Sequence, residues 1–204
     1  MTDNYGREID YLRISITDRC NLRCRYCMPE EGCTDLIDHS EILSFEEIIR
    51  IVRAAAAVGI KKIRLTGGEP LVRRGVADLI SRISSIDGIS EVCMTTNGVL
   101  LPEMADSLKQ AGLARVNISL DTFNAEKISY ITRGGNINRV FEGISAARSA
   151  GLTPIKINCV AMGGFNDDEF GDFVNYTVDN DVSVRFIELM PIGHADIGTD
   201  YGFI

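Results

Sequence analysis

The 204-residue chain has no tryptophan and two histidines, and its apolar residues are spread rather than gathered into long runs. No stretch approaches the ~18 consecutive apolar residues of a membrane span, which excludes the integral helical membrane classes. The N-terminal region lacks the basic, apolar, small-residue layout of a secretory signal, so the expected location is the cytoplasm. Positive charge is in short supply: 21 Lys and Arg against 29 Asp and Glu leave a formal net charge of −8. That balance argues against a general nucleic-acid surface and leaves room for a local basic pocket. With 45% hydrophobic residues, the composition suits one domain with an ample core over residues 1–204.

The most informative shortage is of a fourth metal ligand. Cys20, Cys24 and Cys27 fall within eight residues, in Asp18-Arg-Cys-Asn-Leu-Arg-Cys-Arg-Tyr-Cys-Met-Pro29, directly after a strand-like stretch. Iron–sulfur cubanes held by protein alone normally take four thiolates, so a three-cysteine clamp leaves one iron open to a small molecule. Two plainer uses stay open. A structural zinc knot needs four Cys or His ligands at close spacing, and Cys33 stands six residues on. Disulfides are the other, although a cytosolic chain would keep them reduced.

Short β-branched runs alternate with longer amphipathic ones. Strands are expected at Tyr11 to Thr17, Lys62 to Thr66, Glu91 to Thr95, Arg115 to Leu120, Ile155 to Val160 and Ser183 to Leu189. Helices are expected at Ser44 to Val58, Val76 to Ile86, Pro102 to Gln110, Ile137 to Ala150 and Asp167 to Asn180. Ser44-Phe-Glu-Glu47 is a capping-type start, and Gly59 and Gly151 are stops. Such alternation predicts parallel strands joined by right-handed crossovers. A closed eight-unit barrel usually needs ~250 residues, so the expected fold is α/β, an open partial (βα)6 TIM-type barrel.

Within the strands, apolar and polar residues alternate with period two. Leu12, Ile14 and Ile16 oppose Arg13, Ser15 and Thr17; Ile63 and Leu65 oppose Arg64 and Thr66; Val116, Ile118 and Leu120 oppose Asn117, Ser119 and Asp121; Ile155, Ile157 and Cys159 oppose Lys156 and Asn158. The apolar face must meet the helices, so a polar face lines the barrel. Arg13, Arg64 and Lys156 share that inward parity, and Arg185 on the sixth strand is expected to join them, although it shares a face with Ile187 and Leu189. Cations gathered in a cavity of an acidic chain suit a polyanion such as a nucleotide polyphosphate. Pairing with carboxylates such as Glu69, Asp121 or Glu188 is the plainer alternative.

Thr66-Gly67-Gly68-Glu69-Pro70 follows the second strand at the end where barrel active sites sit, and its glycines let backbone approach a ligand closely. The spacing C-x3-C-x2-C, with an aromatic before the last cysteine, resembles the radical S-adenosylmethionine (SAM) enzymes. Further stretches narrow the resemblance to the GTP 3′,8-cyclases of molybdenum cofactor synthesis: Asp10 to Cys20, Tyr26 to Pro29, Arg64 to Val72, Thr95 to Gly98, Asn117 to Asp121 and Arg185 to Gly193.

The resemblance implies that Cys20, Cys24 and Cys27 hold a [4Fe-4S] cluster. Tyr26, Gly68, Ser119 and Met190 fall where the family contacts SAM, and Arg13, Arg64, Thr95 and Lys156 where it contacts GTP. The implied reaction is that of a radical SAM lyase: SAM is cleaved reductively, and GTP is converted to (8S)-3′,8-cyclo-7,8-dihydroguanosine 5′-triphosphate. No side chain is assigned an acid–base or nucleophilic role, because the cofactors carry the hard steps. Implied partners are GTP, a reductant protein (or dithionite in its place) and a downstream molybdopterin-precursor enzyme, with a homodimer left open and no nucleic acid or membrane. Family members carry a second cysteine triplet after the barrel, and this sequence reads as a fragment that stops before it. Cys33, Cys93 and Cys159 read as buried or spare thiols. His39 reads as a solvated loop residue, His194 lies near the sixth rim position, and Gly163 to Asp168 as a loop and helix cap. Two rivals remain: a different radical SAM reaction, such as peptide modification, and a non-catalytic iron–sulfur or zinc module.

Overall fold

The structure, a computed structural model of the chain, describes residues 2–31, 37–38 and 40–190. Cys33, His39 and His194 lie outside the described residues. Six strands, β1 (Tyr11–Ser15), β2 (Lys62–Thr66), β3 (Glu91–Thr96), β4 (Leu113–Ser119), β5 (Ile155–Ala161) and β6 (Val182–Glu188), form one sheet in sequential order. Every neighbouring pair is parallel, and β1 and β6 are the sheet's two edges. The expected open, six-unit parallel architecture is the one observed.

The helices are α1 (Phe45–Ala57), α2 (Val76–Ser84), α3 (Leu101–Gln110), α4 (Ala125–Thr132), α5 (Ile137–Ser149) and α6 (Phe170–Asp179). The capping sequence at Ser44 works as read: Glu47 N–H donates to Ser44 Oγ at 3.2 Å, and Ser44 N–H donates to Glu47 at 2.7 Å. Helix α4 was not among the expected elements. Asn124 caps it by accepting from the N–H groups of Glu126 and Lys127, so an Asn followed by an acidic first turn was the available signal.

The outward strand faces carry Ile63, Leu65, Val92, Met94, Val116, Ile118, Ile155 and Ile157, all buried. Ile48 and Val52 of α1, Leu79 and Ile83 of α2, Leu101 and Leu108 of α3 and Ile144 of α5 join them in one core. Each such side chain contributes about 2 kcal/mol on burial, which fixes the strand register, because a one-residue slip would turn every strand inside out. Across the sheet Arg13 pairs with Arg64, Asn117 with Lys156, and Asn158 with Arg185. Paired residues point to the same side, so Arg185 faces inward with the others, and Phe186 on the opposite face packs against Phe170 and Phe173 of α6.

Candidate functional site

The cysteine loop leaves the end of β1 alongside the turn that follows β2. Ile16 N–H donates to Thr66 O (2.8 Å), Gly68 N–H to Thr17 O (2.7 Å) and Glu69 N–H to Arg19 O (2.8 Å), extending the ladder to the residue before Cys20. The two glycines make this approach possible: a Cβ on Gly68 would collide with the Arg19 carbonyl, and one on Gly67 with that of Thr17. The close backbone approach expected of these glycines is therefore made, first of all, to the chain's own cysteine loop.

Glu69 is buried at 1% exposure. Its carboxylate accepts from Leu71 N–H (3.0 Å), Thr96 Oγ1 (2.8 Å) and Asn97 N–H (2.7 Å), tying the turn after β2 to the turn after β3. Burial raises its pKa against the pull of those donors. Asn97 Nδ2 in turn donates to Asn21 Oδ1 at 2.7 Å, beside Cys20.

Within the loop, Leu22 N–H donates to Cys20 Sγ at 3.4 Å, and Cys27 and Met28 N–H both donate to Cys24 O. A hydrogen bond between Cys24 and Cys27 raises the Cys24 pKa and lowers that of Cys27, while burial raises that of Cys20. Three thiols on one loop, with an N–H···S bond at Cys20, fit a cluster that takes one thiolate per iron. Among the described residues no set of three His, Cys, Asp or Glu side chains closes around a single ion, and Cys33, the fourth ligand a zinc knot would use, lies outside them.

Beside the loop, Tyr26 donates its hydroxyl to Asp121 Oδ2 at 2.7 Å, and Asp121 Oδ1 accepts Val160 N–H at 2.9 Å. Asp121 is buried and Tyr26 half-buried, and burial raises both pKa values. Tyr26, Ser119 and Asp121 line a cavity of about 40 Å³ with Cys24 and Asn97. Gly68 sits across the loop at Arg19, and Met190 is exposed beyond β6.

Inside the sheet the cations fall into two groups. Lys62 pairs with Asp10 at 2.9 Å and Arg115 with Glu91 at 2.5 Å. Arg115, at the start of β4, was not among the expected inward cations. The strand begins two residues earlier than read, and a register irregularity at Val92/Cys93 brings Arg115 opposite Cys93. Arg13, Arg64, Lys156 and Arg185 have no carboxylate partner among the described residues. The suggested pairing with Glu69, Asp121 or Glu188 does not occur: the first two accept from other groups and Glu188 is exposed. Arg64, 5% exposed, donates Nε to the Tyr11 hydroxyl (2.7 Å) and Nη1 to Met94 O (3.3 Å) and Thr95 Oγ1 (3.4 Å), which leaves Nη2 without a partner among the described residues. Burial, followed by Arg185, Arg115 and Arg64, lowers the Lys156 pKa. The inward-facing amide oxygens of Asn117 and Asn158 are buried without a partner among the described residues.

Residues 14–177 match the Radical SAM superfamily. The chain belongs to the radical SAM superfamily. Among solved structures, Streptococcus suis SuiB bound to S-adenosylmethionine superposes with a TM-score of 0.75, over 94% of this chain and 44% of that one, at 18% identity. Methylornithine synthase (PylB) gives 0.65 over 93% and 58%, at 17% identity; these likenesses speak to the fold. In sequence, the radical SAM chain is 57% identical over 195 residues to "GTP 3′,8-cyclase" of Alkaliphilus oremlandii, covering 96% of this chain and 61% of that protein. It is 59% identical over 191 residues to "GTP 3′,8-cyclase" of Peptoclostridium acidaminophilum, covering 94% and 58%. The chain thus spans about 60% of the length of these curated relatives.

Proposed function

We propose that this chain is the barrel of a GTP 3′,8-cyclase, a radical SAM lyase that forms (8S)-3′,8-cyclo-7,8-dihydroguanosine 5′-triphosphate on the way to molybdenum cofactor. The observation that carries the reading is the set of inward cations without carboxylates, Arg13, Arg64, Lys156 and Arg185, below the cysteine loop of an acidic chain. A guest with several negative charges completes them at little cost, whereas a neutral peptide would leave them crowded. The relatives' shared name supplies the guest's identity.

A [4Fe-4S] cluster with SAM bound supplies a one-electron cleavage that yields a carbon radical. The chain's own residues hold and orient. Cys20, Cys24 and Cys27 ligate the cluster; Tyr26, Gly68, Ser119 and Met190 contact SAM. Arg64 offers Nη2, and Arg13 and Lys156 their charge, to the triphosphate of GTP, with Thr95 fixing the Arg64 guanidinium. The unpartnered oxygens of Asn117 and Asn158 accept from nucleoside N–H or O–H groups. This reading requires a one-electron reductant and a downstream enzyme that takes the cyclised nucleotide, and a reducing compartment, the cytoplasm, in which Cys93 and Cys159 stay free thiols.

The test is anaerobic iron and sulfide loading followed by dithionite and SAM. The expected result is cubane absorbance and formation of 5′-deoxyadenosine; a colourless zinc protein would overturn the cluster. Equilibrium binding of GTP against ATP and guanosine tests the substrate, with equal affinity for guanosine counting against the cation assignment.

A further inference from the structure

Helix α4 meets the cysteine loop through a set of contacts that ligation alone does not require. The last carbonyls of a helix have no partner inside it, and the cysteine loop supplies partners here: Arg25 N–H donates to Ile131 O at 2.8 Å and Arg23 N–H to Thr132 O at 3.2 Å. Arg25 Nε adds a bond to Tyr130 O at 2.9 Å, with its guanidinium 4.0 Å from the Tyr130 ring centroid. Its charge also suits the negative end of the helix.

The reciprocal contact comes from Arg133, which ends the helix. Its Nη1 donates to Arg23 O at 2.8 Å and to Met28 O at 2.8 Å. Those two carbonyls bracket Cys24 and Cys27, and one nitrogen with two protons bridges them. Among the described residues Arg133 is the one non-glycine residue with positive φ, at 54°. Glycine would suit that backbone better, so what arginine adds is the guanidinium. Strain kept at a position where a side chain spans a loop points to a role for that side chain.

We propose that Arg133 is a positioning residue that latches the cysteine loop to the end of α4, fixing the spread of Cys24 and Cys27 before a cluster is bound. The proposal rests on the reading of this loop as a cluster site. Arg133 touches neither the thiols nor any reacting atom; it acts through the two carbonyls. A loop closed by one bridging cation has less freedom to lose when three thiolates must converge on one guest.

Arg133→Gly removes the latch and relieves the backbone, and Arg133→Asn, which also tolerates this conformation, is a second deletion. In metal-free protein, tryptic cleavage after Arg23 and Arg25, followed by mass, is expected to speed up about tenfold in both variants. Arg133→Lys, whose ammonium can still donate twice, is expected to stay within about threefold of the unchanged chain. Thermal midpoints report folding independently. After anaerobic loading, a chelator should strip the cluster absorbance about tenfold faster from Arg133→Gly. The electron paramagnetic resonance line shape of the reduced cluster should change in Arg133→Gly and return in Arg133→Lys. Unchanged proteolysis in Arg133→Gly and Arg133→Asn, or no rescue by Arg133→Lys, overturns the latch. If the unchanged chain takes up no cluster, the cofactor reading fails, while the metal-free arm still decides the latch.

Discussion

Two groups of cations share the inside of one sheet, and they differ in what neutralises them. Lys62 and Arg115 each have a carboxylate within the chain, Asp10 and Glu91. Arg13, Arg64, Lys156 and Arg185 have none, although Arg64 and Lys156 sit one or two strands from Arg115 in the same sheet. A chain with eight more acidic than basic residues has carboxylates to spare. Their placement at one group and not the other separates cations neutralised within the fold from cations that, on the proposed reading, are left for a ligand.

The comparison breaks most visibly at Lys156. Lys156→Glu should lower the affinity for inorganic triphosphate about a thousandfold, by removing one attraction and adding a repulsion. It should also raise the thermal midpoint by about 3 °C, since a carboxylate among Arg64, Arg115 and Arg185 relieves their crowding. Calorimetric titration and a melt test both halves, and a fall in midpoint together with retained affinity would dissolve the distinction. In the paired group, Arg115→Met should do the reverse. Leaving Glu91 unpaired in a partly buried setting should cost about 2 kcal/mol, seen as a midpoint lower by about 6 °C, with triphosphate affinity changed less than about threefold. Lys62→Met, at a more exposed pair, should shift stability by less than about 0.5 kcal/mol in a denaturant titration.

The smallest expected effect is on pH. Lys156 is held below the ordinary lysine value of 10.5, so between its lowered pKa and 10.5 the unfolded chain binds more protons than the folded one. Stability therefore rises with pH through that window, and below it the penalty is present in full. Melts across the alkaline range should show this rise in the unchanged chain and a flatter profile in Lys156→Met.

Strand parity made most of this interior legible, because burying one face leaves the other no choice of direction. Arg64 and Lys156 were found that way. Arg115 was not, because the irregularity at Val92/Cys93 breaks the simple alternation on which the reading depends. The spacing of the three cysteines marks a candidate site, whereas what holds their loop is not legible. Helix α4 is eight residues long and carries Ile128, Ile131 and Thr132, β-branched residues that weaken a helical signal. The sequence around Glu69 points to a ligand-contacting turn, whereas its bonds to the neighbouring turn depend on a tertiary approach that no local pattern encodes.

That neighbouring bond closes a ring. Arg19 O accepts from Glu69 N–H, the Glu69 carboxylate accepts from Asn97 N–H, and Asn97 Nδ2 donates to Asn21 Oδ1, two residues from Arg19 along the chain and on the far side of Cys20. In mechanical terms this is a triangulated truss with Cys20 at one corner. A truss carries load by stretching its members rather than by swinging at its joints. Replacing any one member, as in Glu69→Ala or Asn97→Ala, turns a frame into a hinge, and Cys20 then travels with whichever turn it still touches.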